Sequence, residues 1–307
     1  MLTESFLLPF RMSIAEKGLH IYGVHVYQEG EGSVCHRIRR DEQTNLYSCS
    51  KAFTSMAIGI CQDEGRLALS DRLLDFFPEY RGIASEGTER ITIRDMLHMA
   101  SGKRENDFGT APYPPRLLER DWAELYMEAP LCWEPGTHFH YYNLNTYMLG
   151  RIVERVSGDI LAKYLTPRLF EPLGIFNPQW HTDPRGHTTP ACDLFLNTEQ
   201  LSRLGRMMLD QGTYGEKQVV GAAYLEAAVN DCIENSHFNP MDGQCMAGYG
   251  YQLWRCMHPG SYRADGMYGQ YTIVVPDKRA VVTVNSHGEM NANAIIHTIF
   301  SEIVDRL

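Results

Sequence analysis

Apolar and polar residues alternate most clearly near the amino end. There Leu19-His20-Ile21-Tyr22-Gly23-Val24-His25-Val26-Tyr27 reads as a strand rich in β-forming side chains. Glu29-Gly30-Glu31-Gly32 supplies a turn and Ser33-Val34-Cys35-His36-Arg37-Ile38 resumes the extended pattern, which predicts an antiparallel hairpin. The period then changes. Between about 48 and 64, Phe53, Met56, Ala57 and Ile60 recur at the spacing of one helix face, and Gly65 stands where a helix C′ residue belongs. Ser70-Asp71 reads as an N-cap ahead of a short helix that Pro78 stops. Tyr147, Met148, Leu149, Ile152 and Val153 repeat at helical spacing from about 145 to 156, before Gly158.

Prolines and glycines from 175 to 190 mark a long loop, after which Asn197-Thr198-Glu199-Gln200 reads as a capped start to a helix carrying Leu201, Leu204, Met207 and Met208. Beyond 245 the pattern returns to strands, over 246–256, 271–275 and 280–285, with Pro276-Asp277-Lys278-Arg279 as a turn. A closing helix is predicted from about 292 to 307. Strands at both ends with helices between them predict an α+β fold: one antiparallel sheet built from both termini, flanked by helices, beside a mainly helical inserted lobe. The expected division is 1–66 plus 196–307 for the sheet domain and 67–195 for the insertion.

Composition narrows the function classes. The 307 residues are 44% hydrophobic and 21% charged, ordinary globular usage. A net charge of -10 offers nothing to nucleic acid or anionic lipid. The basic run His36-Arg37-Ile38-Arg39-Arg40 is short enough for an exposed strand end. No apolar run approaches the ~20 residues of a membrane span, and Met1-Leu2-Thr3-Glu4 does not open a signal peptide, so a cytoplasmic location is expected. Eight cysteines without a Cys-x-x-Cys pair read as reduced thiols, not a disulfide framework or zinc site.

Ser48-Cys49-Ser50-Lys51 is the chain's single Ser-x-x-Lys. At a helix start, the serine meets free backbone N–H groups and the positive end of the dipole, and the lysine returns to the same face one turn on. A hydroxyl needs a nearby base to become a nucleophile at neutral pH, and lysine serves only if its surroundings lower its pKa. The single Tyr-x-Asn, Tyr141-Tyr142-Asn143, stands just before the helix expected near Asn145. His138-x-His140 has the look of a metal pair, yet no acid or cysteine in a ligand pattern completes it. Asp193 and Glu199 read as capping or solvated residues, and Cys49, turned about 100° from Ser48 on a helix, as a buried thiol.

Ser48-x-x-Lys51 after Leu46-Tyr47, then Ile91-Thr92-Ile93-Arg94-Asp95-Met96-Leu97-His98 and Tyr141-x-Asn143, resembles the serine β-lactamase/penicillin-binding-protein superfamily in its class C-like branch, from about 19 to the C-terminus. The resemblance implies Ser48 as nucleophile, Lys51 and Tyr141 as proton carriers, and Asn143 as a positioning residue. It implies no metal or organic cofactor, and its third motif departs. Where relatives carry Lys-Thr-Gly or His-x-Gly, this chain has Ala264-Asp265-Gly266 within Tyr262-Arg263-Ala264-Asp265-Gly266-Met267-Tyr268-Gly269-Gln270. Gly266 still lets substrate approach the backbone, and the N–H groups of Ser48 and Met267 suffice for an oxyanion hole. Ala264 cannot attract a substrate carboxylate and Asp265 repels one. Arg263 would substitute only through a one-residue register shift that turns it to the other face. The expected activity is therefore that of the branch's esterases and short-oligoamide hydrolases, such as 6-aminohexanoate-oligomer hydrolases, on a small ester or amide. A β-lactamase or D-alanyl-D-alanine carboxypeptidase is the alternative, and a non-catalytic ligand-binding or scaffold protein is the alternative of another class. Oligomeric state is not legible.

Overall fold

The alternation near the amino end folds as β1 (Ile21–Gln28), and the glycine turn returns the chain as β2 (Gly32–Arg37) in antiparallel register. These assignments come from a computed structural model that describes residues 2–40, 42–104, 119–239, 242–287 and 292–307. The remaining strands are β3 (Thr44–Asn45), β4 (Gln179–Trp180), β5 (Leu194–Leu196), β6 (Thr213–Tyr214), β7 (Lys217–Gln218), β8 (Trp254–Arg255), β9 (Tyr262–Gly266), β10 (Gln270–Val275) and β11 (Ala280–Ser286). Six of them form one antiparallel sheet in the order β2-β1-β11-β10-β9-β8, so strands from both ends of the chain meet at β1–β11. This is the α+β arrangement that the pattern predicts.

Period-two alternation gives the sheet two apolar faces. On one, Val24, Val26, Ile273, Val275, Val282 and Val284 pack with Phe10 and Ile14 of helix Leu8–Glu16 and with Ile295 and Ile299 of helix Ala292–Glu302. On the other, Val274, Val281, Tyr262 and Ala264 join Leu201, Leu204 and Met208 of helix Thr198–Leu209. The same core continues through helix Ser50–Asp63 to helix Asn143–Ser157 and the helices packed on it. A smaller three-stranded sheet, β3-β5-β4, ties the chain just before Ser48 to residues 179–196 and runs across position 195.

Several local expectations are met in detail. Asn197 caps its helix with a reciprocal Gln200 bond. Gly65 adopts positive φ, and the Gly65→Gln62 and Arg66→Cys61 backbone bonds close a Schellman end. Others need correction. The Asp71 carboxylate bonds the Ala68 N–H, so the short helix Leu73–Phe76 has Arg72 as its N-cap with no side-chain bond. The expected strand over 246–256 contracts to Trp254–Arg255, because Gly248 and Gln252 take positive φ and break the extended run. Helix Leu8–Glu16 was not anticipated; its Pro9 sits in the first turn, where a missing N–H costs nothing. The helix expected from 145 begins at Asn143, which puts that residue inside the first turn. Among the described residues no helix is long and apolar enough to cross a membrane. The loops from about 103 to 135 and 230 to 245, expected from sequence to set the acyl and leaving groups, lie in part (105–118 and 240–241) outside the described residues.

Candidate active site

Ser48 stands in a single 3-10 turn, Tyr47–Cys49, that runs straight into helix Ser50–Asp63. The turn is held from three sides. The Leu46 N–H donates to Leu194 O at 2.8 Å, the Tyr47 N–H donates to Asn45 Oδ1 at 2.7 Å, and the Asn45 amide reaches Asp193 Oδ1 at 2.9 Å. Tyr47 takes φ 47°, a left-handed conformation that costs a non-glycine residue free energy and persists only where neighbours enforce it. Asp193, read from sequence as capping or solvated, is buried and belongs to this scaffold of the serine turn. No local spacing signals that role, because its partner lies 148 residues away.

One turn on, Lys51 Nζ lies 2.8 Å from Ser48 Oγ and donates to Ala191 O at 2.8 Å. Only 1% of Lys51 is exposed. Every polar side chain around it on the helix has a partner: Ser50 Oγ accepts from Leu194 N–H, Thr54 donates to Pro190 O, and Ser55 pairs with Tyr224 OH. A helix predicted to have one apolar face is thus buried almost all round, with the strand and loop 190–194 satisfying its polar side.

Tyr141 stands just before helix Asn143–Ser157. Its side chain lines the same cavity as Ser48, and its ring centroid lies 5.0 Å from Lys51 Nζ. Burial pushes the phenol pKa well above its ordinary value, tempered by the nearby Ser48 hydroxyl, so the group is neutral and able to donate. Trp254 stacks on the ring at 5.6 Å, with Tyr249 and Phe238 against its other sides, which fixes the phenol direction. Asn143 lines a small separate pocket with Tyr147, Pro190 and Ala191, behind the carbonyl that holds Lys51.

Ser48 and Tyr141 open into a cavity of about 440 Å³, which Asp265, Gly266 and Met267 also line. Gly266 is needed for a reason the motif does not reveal: a Cβ there would run into the Leu46 carbonyl oxygen, so the glycine lets the serine turn dock on β9. Met267 follows it in the hairpin to β10, is exposed and lines the same cavity.

The structure changes the reading of Arg263. β9 pairs with β10 in unshifted register, Asp265 opposite Tyr271 and Arg263 opposite Ile273. Two residues apart, Arg263 and Asp265 share a face, and Ala264 turns into the core between them. No register shift is therefore required to bring Arg263 to the cavity, which it lines. Its charge is already engaged: Nε and Nη2 donate to Asp265 Oδ2 at 2.9 and 2.8 Å, and Nη1 donates to Gln244 O at 2.9 Å. Burial raises the Asp265 carboxyl above its ordinary pKa against the opposing pull of Arg263.

His138 and His140 join no group of three or more metal-ligand side chains among the described residues. His138 is stacked between Trp133 and His237, with centroids 4.3 and 4.4 Å away.

A Beta-lactamase family profile matches residues 17–298. The chain belongs to the Beta-lactamase family. An Escherichia coli (strain K12) relative named "Putative D-alanyl-D-alanine carboxypeptidase" is 23% identical over 79% of this chain and 68% of its own length. Among solved structures, the "Putative 6-aminohexanoate-dimer hydrolase from Bacillus anthracis" superposes with a TM-score of 0.79 at 19% identity, over 95% of this chain and 80% of the other. A chain described as "EstCE1, a hydrolase with promiscuous acyltransferase activity" superposes with a TM-score of 0.78 at 17% identity, over 98% of each. At these identities the two structures show a common fold with the family member described here.

Proposed function

We propose that this Beta-lactamase family member is a serine acyl-hydrolase that cleaves a small ester or amide through an acyl-enzyme. The observation that carries the reading is the 2.8 Å contact between Lys51 Nζ and Ser48 Oγ at a cavity the Tyr141 phenol also faces. Ser48 Oγ attacks the carbonyl carbon while Lys51, as the neutral amine, takes its proton directly or through Tyr141. The oxyanion rests on the N–H groups of Ser48 and Met267. The carbonyl–leaving-group bond breaks as Tyr141 delivers a proton to the departing oxygen or nitrogen. Water then attacks the acyl-enzyme by the reverse relay, releasing the acid and restoring Ser48. No step requires a metal or an organic cofactor. The names of the structural neighbours, a "Putative 6-aminohexanoate-dimer hydrolase" and "a hydrolase with promiscuous acyltransferase activity", support acyl chemistry of this kind.

A β-lactam or D-alanyl peptide would bring a carboxylate into the same cavity. Arg263 is the cation placed to meet it, and its bonds to Asp265 oppose that use. Initial rates on a p-nitrophenyl short-chain ester and a chromogenic cephalosporin, for wild type and Ser48→Ala, test the reading. The expected result is ester turnover that falls at least ~1000-fold in Ser48→Ala with the fold intact, a comparable fall in Lys51→Ala, and little cephalosporin turnover. Near-normal rates in Lys51→Ala would sink the proton-transfer assignment. Fast Ser48-dependent cephalosporin hydrolysis would favour the β-lactamase alternative. No Ser48-dependent turnover together with no phosphonyl adduct on Ser48 would favour the non-catalytic alternative.

A further inference from the structure

The charges around the Ser48 cavity are unequal. Its described lining residues include one guanidinium, Arg263, and two carboxylates, Asp242 and Asp265. Arg263 is 1% exposed, and its N–H groups are directed to Asp265, Gln244 O and Arg255 O. Both of its bonds to Asp265 fall on Oδ2. Oδ1 of Asp265 therefore has no protein partner among the described residues, and the side chain keeps 23% of its surface exposed. Asp242 is more deeply set. Its Oδ1 accepts from the Gln244 N–H at 3.0 Å, and His297 approaches the same oxygen at 3.5 Å from the rim.

Five aromatic side chains share the rest of the lining with Cys245, Met267, Ala292, Asn293 and Ile296. Tyr141, Trp254 and Phe238 meet with ring centroids 5.4 to 5.9 Å apart, and Tyr268 and Tyr271 also line the cavity. Ring faces carry negative quadrupole density and attract cations while repelling anions. An open carboxylate oxygen in a partly desolvated wall, backed by a second carboxylate, acts in the same direction and is screened less than a surface charge. A carboxylate substrate group would meet Asp265 Oδ1 and the rings, and it would reach Arg263 only by displacing the Asp265 ion pair.

We propose that the Ser48 cavity selects substrates bearing an ammonium group, with Asp265 Oδ1 as its hydrogen-bond acceptor and the Tyr141–Trp254–Phe238 rings as its apolar and cation-attracting wall. This rests on the acyl-hydrolase reading and gives it a substrate class: esters or amides of an amine-bearing acyl or leaving group. Asp265 is then a specificity determinant and takes no part in proton transfer to Ser48.

The test uses three small probes of equal length, n-butylammonium, butan-1-ol and n-butyrate, as competitive inhibitors of p-nitrophenyl acetate hydrolysis by the full chain. The ammonium probe should inhibit roughly ten-fold more strongly than the alcohol, with butyrate weakest, the order expected of one partly buried ionic contact. In Asp265→Asn the ratio of ammonium to alcohol inhibition should fall towards one. An ammonium probe no better than the alcohol in wild type overturns the proposal even where Asp265→Asn does not fold. A ratio unchanged in a folded Asp265→Asn overturns the role of that residue. Absence of Ser48-dependent hydrolysis would instead be a failure of the acyl-hydrolase reading. In that case, ligand-observed NMR of the same three probes reads the preference without turnover, and equal binding of all three overturns the ammonium site.

Discussion

The chain buries two lysines to 1% exposure, and both bond a serine hydroxyl, yet their surroundings give them different work. Lys51 touches Ser48 at an open cavity with a tyrosine phenol facing the pair. Lys103 is held at 3.0 Å from Ser85 Oγ, 3.1 Å from Met127 O and 2.7 Å from Ala129 O, and Ser85 itself donates to Ala129 O, so neither group is available to react. Burial lowers the Lys103 pKa from 10.5 to about 7. The folded state then holds fewer protons than the unfolded chain between these values, so stability from this group rises with pH above about 7 and is lost as pH falls through it. Denaturation midpoints for wild type and Lys103→Met should show wild type gaining relative to the variant by on the order of a few kcal/mol between about pH 6.5 and about pH 9. A difference that does not move with pH would show that Lys103 titrates normally. From sequence, Ser48 and Lys51 were legible because their spacing is local. Lys103 was not, since the carbonyls that hold it lie 24 and 26 residues away. Asp193 escaped for the same reason, its partner Asn45 lying 148 residues away on β3.

Elements defined by their own periodicity or caps were legible; elements defined by what packs on them were not. The Asn197–Gln200 capping box and the β1–β2 hairpin need only neighbouring residues, and both stand as expected. The strand expected over 246–256 fails because Gln252 turns to positive φ, where its amide bonds Met96 O and Leu97 O and its carbonyl accepts from Thr146. Those partners belong to two helices far off in sequence, and their bonds outweigh a local preference for extension. β9 shows the intermediate case. Gly266 was identified, but its cause is the Leu46 carbonyl lying where a side chain would start, since β9 is the surface on which the serine turn rests. Gly266→Ala should therefore push the two elements apart. The expectation is a loss of ~1–3 kcal/mol from overpacking against backbone and at least a ten-fold fall in kcat/KM, read by thermal melting and ester turnover together. Normal activity with normal stability would mean that the strand yields without moving Ser48.

At the scale of the molecule, the candidate site is assembled from three separate parts of the chain: Ser48 and Lys51 on a 3-10 turn and the helix it runs into, Tyr141 from the 131–142 loop, and Asp265 to Met267 at the sheet edge. Its geometry depends on contacts that hold the helical region against the segment leading into that edge. Arg94 of helix Ile93–Leu97 makes the clearest of these, donating from Nε and Nη2 to the two oxygens of Asp231 at 2.7 and 2.6 Å. Tyr251 OH donates to the same carboxylate at 2.6 Å, and His98 Nε2 lies 2.7 Å from the Asp231 carbonyl. A bidentate guanidinium fixes orientation as well as distance. The Arg94 bonds hold the Asp231 carboxyl at about 2, below its ordinary 3.8, even though partial burial opposes this. A depressed acid contributes stability above its unfolded pKa and loses it as pH falls through the folded one, so this clamp acts in full above about pH 4 and disappears near pH 2. Arg94→Met should consequently be less stable than wild type by a constant amount from about pH 5 to about pH 7. The gap should narrow below about pH 4, and the acid-unfolding midpoint of the variant should lie at higher pH. Helix Ile93–Leu97 packs on helix Asn143–Ser157, which begins just after Tyr141, so ester turnover at neutral pH should fall with kcat reduced more than KM is raised. A variant with the wild-type acid-unfolding curve would show that Asp231 is held by Tyr251 and the backbone alone, and that the two sides of the site are kept in register by the buried Gln252 bonds instead.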